Sequence, residues 1–352
     1  MPTLNKSCRP PASTGLPHLP TMKLPLSEGI STEIEAALEL EYIDADLYRS
    51  RHLWLPVGAR GVYGGQVVGL ALAAATKTVP PTHHVHSLHS YFILPGDANI
   101  PIIYKVIRVR DGRTYVTRIV NASQKGKIIF SCICSFQTSE DNALDHQYEM
   151  PQAPHPDSIP SEEDELNYLL KHPEVSSSSA SLIKMRLKQP IPIEAKLIRE
   201  TVEPLSAWRA PEKRKPKQLA WMRAKGKLPD ALSVHHCVAA YCSDYYLLNT
   251  SLLPHGITRF STPRLQMIAS LDHTIWFHEP FRADEWLLYE MESSRTCGGR
   301  GLTFGRIFTM DGRLVMSCAQ EGVIRIEKIS KGISDSPGNQ DDESGNTVAA
   351  KL

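Results

Sequence analysis

The sequence predicts an α+β protein made of two tandem copies of one unit, each an antiparallel sheet wrapped around a long central helix. Three observations predict it. Two apolar helical runs, "GGQVVGLALAAATKTV" (64–79) and "HHCVAAYCSDYYLLN" (235–249), are each followed by about four strand-like stretches with alternating apolar residues. The same turn signal recurs in both sets, "RDGR" at 110–113 and "MDGR" at 310–313. Residues also match in order: Phe92, Pro95 and Tyr104 correspond to Phe277, Pro280 and Tyr289 at one offset of 185. With small loop adjustments, Arg118-Ile119 is matched to Arg306-Ile307 and Ser131-Cys132 to Ser317-Cys318.

In chain order, residues 1–31 are rich in Pro, Ser and Thr and are expected to be disordered. Residues 32–140 hold the first unit. Residues 141–190 read as a linker, with "QAPHPDSIPSEEDE" and "SSSSAS" around one short helix near 163–170. Residues 191–328 hold the second unit, whose helix is preceded by a strand in "KQLAWMRAKGKL" (217–228) ending at the turn Pro229-Asp230. The polar, acidic tail 329–352 is not expected to fold. A long apolar helix followed by a meander can bury its surface only against that meander, which dictates the layer arrangement.

Composition narrows the function. Apolar residues make up 41%, charged residues 22%, and the formal net charge is +1, so bulk charge suggests neither a nucleic-acid nor a membrane-surface partner. No window reaches the length of a membrane span, and the first thirty residues hold no apolar core of signal-peptide length, which argues against secretion. The seven cysteines (8, 132, 134, 237, 242, 297 and 318) contain no C-x-x-C pair and no His/Cys ligand spacing. They read as small buried hydrophobes in a reducing compartment, and neither a metal nor a cofactor is expected.

One residue resists the bland reading. Asp244 lies in the middle of "AAYCSDYYLL" (239–248), on or beside the apolar face of the second helix. A carboxylate is rarely buried without a partner or a task, because losing hydration costs several kcal/mol. A partnered structural acid is one explanation. The other is chemistry: burial raises a carboxyl toward the range of a useful general base. Ser270 alternates onto the face opposite Leu265, Met267, Ala269 and Leu271, and alone reads as a backbone-satisfied sheet serine. Gln320, at the end of a strand-like run, alone reads as an edge residue. "EKRKPK" (212–217) is a basic run left unassigned, and the glycines of "GARGVYGGQ" (58–66) fit either tight packing or close approach to a ligand at a helix start.

Together these stretches resemble the acyl-CoA thioesterase II family, a double hotdog fold. The resemblance rests on "GGQVVGLALAAATKTV" and "VHSLHSYFILPGD" (85–97) in the first half. In the second it rests on "YCSDYYLL", "LLPHGI" (252–257), "SLDHTIWFHEPFRADEWLLYEMES" (270–293) and "SCAQEGVIR" (317–325). It runs from about residue 34 to 327 and implies a pair of hotdogs packed as one pseudo-dimer that hydrolyses acyl-CoA to a carboxylic acid and CoA. It implies that Asp244, Ser270 and Gln320 activate water, serine standing where many bacterial members have threonine. In the first copy Val85 and Cys134 occupy the places of Ser270 and Gln320, so that copy is expected to shape the acyl or CoA site through Gln66. His89 and His273 are read as lining the thioester pocket. The resemblance further implies a homo-oligomer.

Two other readings stay open at this stage. Asp272-His273 could serve as the acid/base pair of a hotdog enoyl-CoA hydratase or dehydratase, and the chain could be a non-catalytic acyl-CoA-binding relative. Neither a G-x-S-x-G elbow nor a P-loop is present. The final tripeptide Ala350-Lys351-Leu352 is a conservative variant of the S-K-L peroxisomal address, so the peroxisome and its import receptor are expected as destination and partner.

Overall fold

The computed structural model describes residues 32–140, 144–199, 213–258 and 261–327. The expected disordered segment 1–31 and the tail from 328, with its Ala350-Lys351-Leu352, lie outside the described residues. The first half runs α1 (Glu33–Ala37), β1 (Leu40–Asp44), β2 (Leu47–Ser50), α2 (Gly64–Thr76), β3 (His84–Phe92), β4 (Ile103–Asp111), β5 (Tyr115–Gln124) and β6 (Lys127–Gln137). The strands alternate: along β5 buried residues fall at every second position, ending in Val120, Ala122 and Gln124. Helix α2 is apolar nearly all round, and Val68, Leu70 and Leu72 are wholly removed from solvent. Burial of each such side chain contributes about 1.5–3 kcal/mol.

The second half repeats the plan with β7 (Ile193–Ile198), β8 (Lys217–Ala224), α5 (Leu232–Ser243), β9 (Leu265–Ser270), β10 (Asp272–Phe277), β11 (Leu287–Cys297), β12 (Arg300–Thr309) and β13 (Leu314–Ile326). All pairings are antiparallel, in the order β1-β2-β4-β5-β6-β3-β10-β13-β12-β11-β8-β7, with β9 beside β13. The two halves therefore share one sheet. Its seam pairs β3 with β10, setting Ser90 opposite His273 and His89 opposite Thr274. Behind the seam α2 and α5 pack close: a Cβ on Gly65 would collide with the Tyr241 carbonyl, and one on Gly69 would sit 3.1 Å from that of Cys237.

The register corrects one expected correspondence. Tyr104 pairs with Ala122 and Tyr289 with Ile307. The residue equivalent to Arg306 is therefore Asn121, and the 185 offset persists through the turn without adjustment. Cys134 and Gln320 keep their match, because Arg118 pairs with Cys134 where Thr303 pairs with Gln320. Arg118 thus stands in the first half where Thr303 stands in the second.

The linker is more ordered than its composition suggests. The expected short helix is α3 (Glu162–Leu170), but a second, α4 (Ser177–Leu187), lies beyond it in the serine-rich stretch. Serines are poor helix formers in the interior, yet the Ser176 hydroxyl caps α4 by accepting from the Ser179 N–H, and Lys184 and Arg186 complement its C-terminal dipole. Ile183 then packs on Leu169 to close the hairpin. Five cysteines are buried as expected; Cys297 is exposed.

Candidate active site

Asp244 is not in mid-helix. Helix α5 ends at Ser243 and Asp244 is its C-cap. Two residues later Tyr246 takes a left-handed φ of 65°. That conformation costs a non-glycine residue about 1–2 kcal/mol, and the Gln218 side-chain amide donates to its carbonyl at 3.2 Å. The chain then continues as a 3-10 stretch, Leu248–His255, instead of the expected helix. Asp244 is consequently half-buried, with its carboxylate at the helix end.

Around that carboxylate the three expected residues meet. Gln320 Nε2 donates to Asp244 Oδ1 at 2.6 Å and to Ser270 Oγ at 2.8 Å. Ser270 Oγ lies 3.4 Å from Asp244 Oδ1. Gln320 is wholly buried, and its Oε1 has no partner among the described residues. The fourth contact comes from the other half of the molecule: the Gly65 N–H, in the first turn of α2, donates to Asp244 Oδ2 at 2.9 Å. Tyr63, the N-cap, supplies no side-chain cap, so the acid of the second half fills that place and meets the positive end of the α2 dipole. Glycine is required there. A Cβ on Gly64 would stand 2.8 Å from Asp244 Oδ2 and 3.1 Å from the Phe92 ring.

His273 lies beneath this cluster, not in a pocket wall. Its ring is wholly buried, with Nε2 2.7 Å from Ser243 Oγ. Ser243 Oγ donates to Ala240 O at 3.0 Å, which assigns the imidazole proton to Nε2 and leaves Nδ1 unpartnered among the described residues. Burial pulls the imidazole down to about 4, against the opposing pull of the Asp244 charge. The Tyr289 hydroxyl donates to the Ser243 carbonyl at 2.6 Å, fixing the same helix end from the other side. Asp272 is no partner for His273. As the preceding residue of one strand it faces the opposite way, its carboxylate accepting the Glu321 N–H at 2.9 Å.

Two other expected residues stand apart. Gln66 is buried with its amide committed to backbone: Oε1 accepts from the Trp54 N–H at 2.8 Å, and Nε2 donates to Ala37 O and His52 O. It ties the segment before α2 to the helix. His89 is exposed on the solvent face of the sheet, edge-on to Trp276 with ring centroids 5.5 Å apart.

Asp244 opens onto a cleft of about 600 Å³ whose lining is largely apolar, with Trp54, Tyr63, Tyr246, Leu253 and Ile268 among it. Both halves and the linker contribute. The linker's part, Glu162 and Arg186, is what sequence reasoning missed; basic residues following a serine cap at helical distance were the one available signal.

In the first copy the place equivalent to the cluster is filled. Arg118, wholly buried, donates to Thr78 Oγ1 at 2.9 Å and to the carbonyls of Thr78, Thr117 and Arg110, and pairs with Asp111. Cys134 has no amide to offer there.

The sequence model of an acyl-CoA thioesterase matches residues 207–323, and that of an acyl-CoA thioesterase N-terminal domain matches residues 51–137. Acyl-coenzyme A thioesterase 8 of Mus musculus is 43% identical over 299 residues, covering 84% of this chain and 90% of that one. The peroxisomal acyl-coenzyme A thioester hydrolase 1 of Saccharomyces cerevisiae is 28% identical over 338 residues, covering 83% and 94%. The crystal structure of an acyl-CoA thioesterase II from Mycobacterium marinum superposes with a TM-score of 0.64 at 36% identity, over 86% of this chain and 99% of that one. With both halves matched in order on a double hotdog body, the chain belongs to the acyl-CoA thioesterase family and is a thioester hydrolase.

Proposed function

We propose that this chain hydrolyses acyl-CoA by direct attack of water, with Asp244 as general base and Ser270 and Gln320 holding it and the water in place. The observation that carries this reading is the convergence of Ser270, Gln320 and the Gly65 N–H, distant in sequence, on the Asp244 carboxylate at the mouth of a largely apolar cleft. Water gives a proton to Asp244 as its oxygen attacks the thioester carbonyl carbon; the C–S bond then breaks and the CoA sulfur leaves, taking up the proton. Gln320 Nε2 fixes both oxygens of the set, so Ser270 can turn its own proton toward Asp244 or accept from the water. The Gly64 N–H at the start of α2 is the donor we assign to the developing oxyanion, where the helix dipole adds to it. His273, with its single bond to Ser243 and no exposed edge, is not in position to touch substrate, which weighs against the hydratase reading.

Single turnover with excess enzyme in ¹⁸O-water tests the mechanism. Direct attack puts the label in the first acid released. Label retained on Asp244, with unlabelled product, would mean an acyl-enzyme anhydride and end this reading.

We further place this activity in peroxisomes, on the likeness to the yeast peroxisomal hydrolase and the expectation for Ala350-Lys351-Leu352, and assign a second copy of the chain to the solvent face of the sheet. There Ile133, Tyr91, Trp276 and Phe304, on β6, β3, β10 and β12, are each more than a third exposed, a spread of apolar area that favours association. Deleting the tripeptide should leave the tagged protein cytosolic.

A further inference from the structure

The cleft at Asp244 has a neighbour. A second cleft of about 260 Å³ lies under the linker hairpin, its lining mixing the apolar Leu166, Leu187 and Ile191 with the polar Glu163, Gln189 and Lys225. Three residues belong to both linings: Glu162, Arg186 and Tyr245. They form one knot. Glu162 Oε2 accepts from Arg186 Nη2 at 2.8 Å and from the Tyr245 hydroxyl at 3.1 Å, and Arg186 Nη2 also donates to Tyr245. The Arg186 guanidinium sits 6.0 Å from the Trp54 ring centroid. Glu162 opens α3 and Arg186 is in the last turn of α4, so the hairpin brings its two complementary helix ends together here.

Folding does not call for this arrangement. Apolar side chains of similar volume in place of a half-buried ion pair are often neutral or stabilising, and Arg186 Nη1 is buried without a partner among the described residues. A polar septum between the first cleft and the apolar part of its neighbour does have a consequence for an alkyl chain, which cannot cross it without stripping water from the charges.

We infer that the Glu162–Arg186–Tyr245 knot is the end wall of the acyl site and sets the longest chain the enzyme takes. The inference rests on the reading that the acyl chain occupies the cleft at Asp244. With the wall removed, further methylenes would reach Leu166, Leu187 and Ile191, each favouring the longer substrate by about fourfold.

The experiment is kcat/KM for straight-chain acyl-CoAs from short to long, on the full chain. Arg186→Ala should move the preferred length upward and raise the longest substrate relative to the shortest by at least about tenfold. Adding Lys225→Trp, an exposed residue that lines only the second cleft, should undo the shift. A uniform loss at all lengths, or an unchanged profile, overturns the wall. Should Arg186→Ala not fold because it strands Glu162, the double change Glu162→Ala with Arg186→Ala removes both charges and their bulk together and should move the profile the same way. Leu253→Trp, inside the first cleft, separates the two ideas. If it shortens the preferred length while the wall variants change nothing, only the wall falls; if none of them changes it, the acyl chain lies elsewhere and both readings fall.

Discussion

Replacing Asp244 by Asn changes one oxygen to an N–H₂ and removes one charge, at nearly constant shape. The hydrogen bonds around the carboxylate set the cost to folding. Both of its oxygens accept, from Gly65 N–H and from Gln320 Nε2, so either orientation of the amide sets a donor against a donor. Hydrogen bonds to a charged acceptor contribute about 1.5–3 kcal/mol each; losing one at this half-buried position should lower the melting temperature by a few degrees, on the order expected for a chain of this size. Loss of a general base removes about 10²–10⁴ in rate, equivalent to roughly 2.7–5.5 kcal/mol of barrier. The assay is thiol release from an acyl-CoA at saturating substrate, alongside thermal unfolding of the same preparations. A drop in kcat of that size with a shift of a few degrees is expected. An Asn variant that keeps more than about one tenth of wild-type kcat would refute the base role, and a collapse of folding with the loss of activity would make Asp244 a structural cap.

Gly64→Ala places a methyl against Asp244 Oδ2 and Phe92 and should cut kcat by about tenfold or more with little effect on binding, read from the same thiol assay. Acid should destabilise the protein through its buried histidines. Burial holds His236 at about 3, against 6.5 when exposed, so the unfolded chain takes up protons first and stability falls as pH drops below about 6.5, by about 2 kcal/mol at pH 5. His273, held at about 4, acts in the same direction. His236→Phe, stacking on Phe277 and Phe281 in its place, should flatten the slope of melting temperature against pH; an unchanged slope would remove His236 from the account. Arg118→Ala should cost about 3 kcal/mol or more in denaturant unfolding while leaving kcat within about twofold, because it belongs to the filled counterpart and not to the working cluster. Tyr91→Glu should dissociate the assembly in size-exclusion with light scattering if the sheet face joins two copies.

The duplication was legible because the strand pattern and the 185 spacing are local, repeated signals. The alignment of Gln320 with Cys134 and of Ser270 with Val85 holds in the register, since Ser270 sits opposite Gly322 where Val85 sits opposite Phe136. The end of α5 was not legible. A helix stop is read from Gly or Pro, and here it is made by a tyrosine held at positive φ through a non-local amide, Gln218. Gln66 was placed in the right helix but for the wrong reason: its partners, Ala37, His52 and Trp54, are close only after folding. Gly65, whose glycine run fits either tight packing or close approach to a ligand, makes a bond to Asp244 that spans 179 positions and exists only after folding. Serine-rich α4 escaped notice because its stability comes from one cap and one buried isoleucine, not from propensity.

The filling of the first copy by Arg118 has a consequence for how such an enzyme can be altered. In a dimer of identical single hotdogs every substitution is made twice, at both symmetry-related centres, so a change that improves one position is copied into its mirror role as well. Joining the two copies in one chain removes that obligation. On the proposed mechanism, the half without the Asp244 cluster can lend its α2 helix start to the other, take a bulky guanidinium where its twin keeps a threonine, and accept a linker hairpin on one side alone. Apart from the α2 start at Gly64 and Gly65, residues 32–140 would thereby be released to vary as a fitted half-mould for the acyl group that the other half is proposed to hold.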